Sequence, residues 1–270
     1  MKSGILDGRI VLVTGGGSGL GASFARRLAA DGAHVVVGDV NETGAGQVAS
    51  EIGGEAAVFD VTDSAAFDAV VDRVVAHHGH LDVLINNAGI APPSDPERTQ
   101  ISFANQALRM EGRLAELTPI DATVSLTDEA WHRMMNVHVS GTFYGTRAAL
   151  RHMTPRRAGS IVNISSIMGL RPAAGAPHYC AAKAAIIALT KSTAQEVAPF
   201  GVRINAVCPG WIDTPLLAPM DPLALAGIQM QIPMGRFGRP EELAEVVRFL
   251  AGPESSYCVG DVFAATGGWV

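Results

Sequence analysis

Thr14-Gly15-Gly16-Gly17-Ser18-Gly19-Leu20-Gly21 follows the apolar run Arg9-Ile10-Val11-Leu12-Val13 and opens a helical pattern, Gly19 to Ala30. A buried strand, a glycine turn and a helix start let the backbone approach a pyrophosphate, whose charge is favoured at the helix N-terminus. Glycine-rich turns are common, so it is the placement between strand and helix that specifies a dinucleotide. A second strand-like run, His34 to Asp39, ends on a carboxylate 18 residues beyond Gly21. A carboxylate there accepts hydrogen bonds from both adenosine ribose hydroxyls and repels a 2′-phosphate. No Lys or Arg stands in the glycine loop or directly after Asp39, so these residues predict NAD rather than NADP.

Working outward, Glu55–Asp60, Leu81–Asn86, Ser160–Ser165 and Arg203–Val207 read as further strands, with a helix at Ala65–His77. Near-continuous apolar strands separated by helices mean a parallel sheet covered on both faces. Right-handed crossovers make it doubly wound, with ligands at the carboxyl ends of the strands. The expectation is an α/β chain, 1–270 as a single Rossmann-like domain, with a helical insertion after the fourth strand at about 91–126. Composition agrees: 48% hydrophobic and 17% charged residues suit a sheet buried on both sides. A net charge of −6 without a basic run argues against nucleic acid. The apolar runs fall short of the ~20 residues a membrane span needs, and Met1 to Gly8 lacks a secretory apolar region. A cytoplasmic chain with no membrane partner is expected. Cys180, Cys208 and Cys258 show no metal-ligand spacing and read as reduced thiols.

The glycine motif, Asn86-Asn87-Ala88-Gly89, Tyr179-x3-Lys183 and Pro209-Gly210 stand in an order that resembles the short-chain dehydrogenase/reductase superfamily, from about Leu6 to the C-terminus. The resemblance implies a cofactor site made by Gly15, Gly17, Ser18, Gly19, Leu20 and Gly21, with Asp39 and Val40. It places Asp60 and Val61 at the adenine and Asn87, Ala88 and Gly89 beside the adenosine ribose. Ile212 and Thr214, after Pro209 and Gly210, would hold the nicotinamide carboxamide. Tyr179 and Lys183 would also touch the cofactor, the lysine through the nicotinamide ribose hydroxyls.

Oxidising a secondary alcohol needs a base for the hydroxyl proton and an acceptor for the hydride. Tyr179 and Lys183 are four residues apart in a helical stretch, Tyr179 to Thr190, and so share a face. A tyrosine with a pKa of about 10 is a poor base. A neighbouring ammonium and the nicotinium charge favour its phenolate. Ser166 lies 13 residues before Tyr179, the family spacing for the serine that hydrogen-bonds the substrate oxygen. Its neighbour Ser165 points the other way if the strand continues.

One position departs from the family. Where an Asn three residues before a Gly is usual, Met135-Asn136-Val137-His138-Val139-Ser140-Gly141 places His138. Asn136 is no substitute, because a two-residue offset turns it about 200° around a helix. In the family this position helps hold a water linking the lysine to solvent. Either the His138 imidazole joins or gates that relay, or it packs and the backbone alone holds the water. His77-His78-Gly79-His80 sits at a helix end without a carboxylate cluster in the sequence around it, and suits the helix dipole. No metal is expected. His178 is expected to line the pocket.

From Gly89 to His138 is 49 residues, too many for a simple loop. Within it Asp95-Pro96 reads as an N-cap followed by proline at the first helical position. Ile101, Ala104, Leu108 and Ala115 follow helical spacing, with Gly112 as a weak point. An extra helix there would wall the active site or cap a neighbouring subunit. Arg98, Arg109 and Arg113 could meet an anionic tail, but Asp95, Glu97, Glu111 and Glu116 balance them as a solvated mixed face. A second variable region, about 215–235, runs from Pro215-Leu216-Leu217-Ala218-Pro219-Met220 through Met234; in the family it is the substrate lid. Trp211, Met168, Leu217 and Met220 suggest an apolar pocket with no cation reserved for a carboxylate. The small-molecule substrate expected is an alicyclic, terpenoid or steroid-like secondary alcohol or its ketone. A 3-oxoacyl thioester reductase or a non-catalytic NAD-sensing protein are the alternatives. The resemblance also implies a homotetramer, and the apolar end Asp261 to Val270 suits an interface.

Overall fold

In the computed structural model, which describes residues 4–93, 95–215, 217 and 220–269, seven strands form one parallel sheet in the order β3-β2-β1-β4-β5-β6-β7. They are β1 (Ile10–Thr14), β2 (His34–Asp39), β3 (Glu55–Val58), β4 (Val83–Asn86), β5 (Gly159–Ile164), β6 (Val202–Pro209) and β7 (Val262–Ala265). The order reverses between β1 and β4, and a crevice opens at their carboxyl ends. The glycine turn, Asn87 and Asp39 all stand at this edge.

Helices cover both faces, each over its own apolar core. On one side α1 (Gly19–Ala30), α2 (Glu42–Ile52) and α10 (Pro240–Ala251) bury Phe24, Leu28, Val247 and Leu250 against Val11, Val35 and Val207. On the other, α3 (Ser64–His78), α6 (Gly141–Arg156) and α8 (Pro177–Val197) bury Phe67, Met153 and Val197 against Leu12, Leu84 and Ile204. Burying one such side chain contributes about 1.5–3 kcal/mol, so the two cores set the stacking of the layers. Caps fix the helix ends: Asn41 and Asp63 accept backbone N–H groups at the starts of α2 and α3, and Gly53 and Gly79 close them in the left-handed conformation.

Two strand ends differ from expectation, each beside a carboxylate that accepts hydrogen bonds. β3 stops at Val58, before Asp60, whose carboxylate turns to accept from Thr62 N and Oγ1, both at 2.8 Å. β4 starts at Val83, although the Asp82 backbone still donates to Ile10 O and accepts from Ser160 N, both at 2.9 Å, while its carboxylate accepts from Ile10 N (2.9 Å). α2 carries Gly44 and Gly46, which lower its intrinsic propensity and hide it from pattern reading.

The insertion contains α4 (Pro96–Met110), capped by Asp95, whose side chain accepts from Arg98 N. Two expectations for it fail. The helix ends at Met110 rather than continuing to Ala115, since Gly112 takes φ +74° and Leu114–Glu116 is a separate 3-10 turn. The buried residue of α4 is Asn105, not the expected apolar row. Its amide exchanges two hydrogen bonds with the Thr118 backbone, at 2.7 and 2.9 Å, tying the helix to the returning segment of the insertion. Phe103 packs on Gly227 of α9 (Pro222–Gln231), so insertion and lid touch. Leu216, Ala218 and Pro219 of the expected lid, Met1 to Ser3, and Val270 lie outside the described residues. Among the described residues no helix is long and apolar enough to cross a membrane.

Asp82 is buried and collects Arg9 (3.1 Å), Arg156 (2.9 Å), His80 (3.0 Å) and Ile10 N. Burial pushes its carboxyl up, but the Ile10 amide, Arg156 and His80 outweigh that and hold it below the ordinary range. A depressed pKa contributes stability above the unfolded-state value, about 4, which is lost as pH falls through the folded-state value. Asp82→Ala should therefore lower the unfolding free energy at neutral pH by about 2–3 kcal/mol, with a smaller deficit in acid. Urea midpoints at pH 7 and in acid check this.

Candidate active site and dinucleotide cleft

A cavity of about 1370 Å³ runs along the carboxyl edge of the sheet. Ser18, Gly19, Leu20 and Gly21 line it with Gly15, Asp39, Val40, Asp60 and Val61 at one end, and Asn87, Ala88 and Gly89 in the middle. Ser166, Tyr179, Lys183, His138, Pro209, Gly210, Ile212 and Thr214 line the other end. Gly17 lies behind the wall. Its amide donates to Asp39 Oδ2 (2.9 Å), while Asp39 Oδ1 accepts from Asn41 N (2.9 Å). The carboxylate is thus oriented before any ligand arrives.

The glycine turn is held from below. Thr14 Oγ1 accepts from the Asn87 and Ala88 amides, at 3.0 and 3.1 Å, and the Asn87 side chain donates to Thr14 O and Gly15 O, at 3.0 and 3.1 Å. A Cβ on Gly21 would stand 2.0 Å from Gly15 O, so only glycine permits α1 to start this close to the turn. The helix N-terminus and an acidic residue at the end of β2 suit a dinucleotide's pyrophosphate and ribose.

At the opposite end, α8 carries Tyr179 and Lys183 past the end of β5. Ser165 Oγ donates to Lys183 O (2.7 Å), and Lys183 Nζ donates to Ile164 O (3.0 Å). Ser165 therefore faces the helix, while Ser166 accepts from Met168 N (3.1 Å) and lines the cavity together with Tyr179. The Lys183 ammonium lies 5.6 Å from the Tyr179 ring centre. Burial pushes the Tyr179 phenol up, which Ser166 partly opposes, and pushes the Lys183 ammonium down to about 7. The dry site disfavours charge on either group alone.

His138 is buried inside a π-helical turn, Asn136–Ser140, between α5 (Asp128–Met135) and α6. Such turns recur at functional sites. Its Nε2 lies 2.9 Å from Ile90 O and 3.2 Å from Ile90 N, so either neutral tautomer grips that residue's backbone. Its ring meets Tyr179 edge-on at 5.6 Å, and a Cβ on Gly89 would come within 2.5 Å of it. Burial and the charge of Lys183 push its pKa down to about 3, so it stays neutral at working pH. Asn136 is exposed at the mouth.

Two expectations need correction. His178 is buried but does not line the cavity; it packs behind Tyr179, and burial lowers its pKa. The substrate end is not free of cations, since Arg98 and Arg133 line it; Arg98 is held by Asp95 (3.0 Å) and by Ser125. Arg113 pairs with Glu111 and Glu116, away from the cavity. Met168, Trp211, Leu217 and Met220 line the apolar part with Ile228 and Trp269. Trp269, which sequence places only in an apolar tail, stands 6.2 Å from Trp211. Sequence reasoning also missed the buried relay in which Asn86 donates to Asn163 (2.9 Å) and Asn163 to Thr190 (2.9 Å), since no local pattern marks polar residues that meet across three elements.

Comparison with known proteins adds to this geometry. Residues 9–111 match the family model described as short chain dehydrogenase, and residues 114–270 the model described as enoyl-(acyl carrier protein) reductase. The chain is 40% identical to the cis-4-hydroxycyclohexanecarboxylate dehydrogenase of Sinomonas cyclohexanicum, over 97% of this chain and 96% of that one. It is 38% identical to the 2,5-dichloro-2,5-cyclohexadiene-1,4-diol dehydrogenase of Sphingobium indicum, over 98% and 97%. It is 36% identical to the 3-oxoacyl-[acyl-carrier-protein] reductase of Thermotoga maritima, over 98% and 99%.

Gly21→Ala should weaken dinucleotide binding by about a hundredfold or more, since the methyl needs the turn to move. Gly46→Ala, where an added Cβ meets nothing within 4 Å, should leave binding unchanged and raise stability by up to about 1 kcal/mol. Calorimetric titration with NAD and a thermal melt of both variants check the pair.

Proposed function

The chain belongs to the short-chain dehydrogenase/reductase superfamily, and on that premise we propose that it transfers a hydride between NAD and a secondary alcohol or ketone, with Tyr179 as general acid/base. The observation that carries this is the convergence of Ser166, Tyr179 and the buried Lys183, whose ammonium lies 5.6 Å from the Tyr179 ring centre, on the wall of the cavity that ends at Asp39.

NAD, when bound, supplies the hydride acceptor. Tyr179 takes the proton from the substrate hydroxyl as the carbinol C–H bond gives up its hydride, and returns it in the reverse direction. Ser166 donates to the substrate oxygen as charge develops on it. Lys183, when protonated, places positive charge beside the phenol, which favours phenolate. His138, neutral and gripping Ile90, acts as a positioning residue for the Gly89–Ile90 turn rather than as an imidazolium relay.

Preference for NAD over NADP rests on Asp39 and on its neighbours Val40, Phe59, Asp60 and Thr62, none of which is a cation. An apolar end lined by Trp211, Met168, Met220 and Trp269 supports an alicyclic secondary alcohol, and two relatives are named for cyclic substrates. A 3-oxoacyl thioester substrate is the second reading, supported by the Thermotoga relative. Against it stand Asp39 and the ion pairs that occupy Arg98 and Arg113. A homotetramer, with the half-buried strand β7 at an interface, completes the proposal.

With cyclic secondary alcohols, kcat/KM with NAD should exceed that with NADP by about tenfold or more. Equal use of both cofactors would remove Asp39 as the selector. Tyr179→Phe should cost about 10²–10⁴ in kcat. Alcohol oxidation should rise with pH and ketone reduction fall, because the first consumes phenolate and the second the phenol. In His138→Asn the rate is expected to change but the pH at which the profile bends is not; a displaced bend would put the imidazole in the proton path.

A further inference from the structure

At the end of the sheet opposite the cofactor cleft, three elements converge on one carboxylate. His34 begins β2, Glu55 begins the edge strand β3, and His77 and His78 end α3. Glu55 Oε1 lies 2.9 Å from His34 Nε2, 3.0 Å from His78 Nε2 and 4.0 Å from His77 Nε2. The ligand atoms of His34, Glu55 and His78 all fall within 4.8 Å of one another. Sequence reading takes His77-His78-Gly79-His80 for ordinary helix-end histidines because no carboxylate cluster stands near them in the chain. The strand order supplies the missing partners, bringing Glu55 and His34 under the helix end.

We propose that His34, Glu55 and His78 form a binding site for a divalent transition-metal ion of the zinc type, with His77 or water as fourth ligand. Two imidazoles and one carboxylate are borderline donors that suit zinc, cobalt, nickel or copper better than calcium or magnesium, which want oxygen alone. Bond lengths of about 2.0–2.1 Å in a tetrahedral site put ligand atoms about 3.4 Å apart. The distances of 2.9 and 3.0 Å need open only by a few tenths of an ångström. His78 Nε2 is buried and, although close to Glu55, is not aligned to hydrogen-bond it or any other described group. A cation gives that lone pair a use. The site also lies at the C-terminus of α3, where the helix dipole favours positive charge. Bound there, the ion would clip the edge strand, its neighbour and α3 together, and stabilise the native chain by mass action without touching the cofactor cleft.

Untagged, chelator-stripped protein titrated with Zn²⁺ by calorimetry, and with Co²⁺ by visible absorption, tests this. The expected result is one ion per chain, micromolar or tighter, the strong visible bands of tetrahedral cobalt, and a raised melting temperature. His34→Gln, His78→Gln and Glu55→Gln should each weaken binding by at least about tenfold. His152→Gln, at a surface histidine paired to Asp72 (2.7 Å), should not. NAD titration of each variant reports folding, and Glu55→Gln, which keeps the side chain's shape, decides the matter if a histidine variant fails to fold. No zinc heat, binding indifferent to the three substitutions, or equal loss in His152→Gln (an adventitious ion only) would overturn the proposal.

Discussion

Two hydrogen bonds that cross between the end of β5 and the second turn of α8 determine the arrangement of the catalytic end. Ser165 Oγ reaches up to Lys183 O, and Lys183 Nζ reaches down to Ile164 O. Together they fix the helix in height and rotation against the strand. That register sets Tyr179 opposite Ser166, because one residue along the strand turns the second serine to the cavity. It also buries the ammonium, which is why its pKa falls to about 7. The polar chain from Thr190 through Asn163 to Asn86 extends the same lock to β4, and the Asn87 side chain passes it to the glycine turn. Buried networks of this kind rigidify a site at the cost of tolerating little change.

The substrate side is built differently. α4 has one buried side chain, Asn105, and Met110, Leu114 and Val124 stand exposed along the insertion. Segments with few buried contacts lie at the low end of local stability and are the ones that move when ligands enter. On the proposed function, reaction type resides in the edge of the sheet, and substrate choice in the two segments that touch through Phe103 and Gly227. His138 joins the two regimes. Its imidazole backs Tyr179 on one side and grips Ile90, at the root of the insertion, on the other.

What could be read from the chain follows from how local each signal is. The apolar run before Thr14, the carboxylate ending β2 and the four-residue spacing of Tyr179 and Lys183 are determined within single elements, so the fold class and the grouping of the candidate site residues around one cavity were legible. Asp95-Pro96 marked the start of α4 for the same reason. The helix's end and buried face were not, since Asn105 is chosen by Thr118, thirteen residues away. His178 was misplaced because helix rotation against α5 has no local signature. The His34–Glu55–His78 cluster exists only once strand order is known.

On the proposed function, Tyr179 is the proton acceptor, and the positive charges of Lys183 and of bound nicotinium make it one despite burial. The chain has three tyrosines, so an ultraviolet difference titration of phenol ionisation, with and without NAD and repeated on Tyr179→Phe, isolates it. One phenol should ionise well below the other two when NAD is bound, and that step should be missing from Tyr179→Phe. If all phenols titrate together near pH 10 with NAD bound, Tyr179 is not tuned as a base. The mechanism would then fail at its centre.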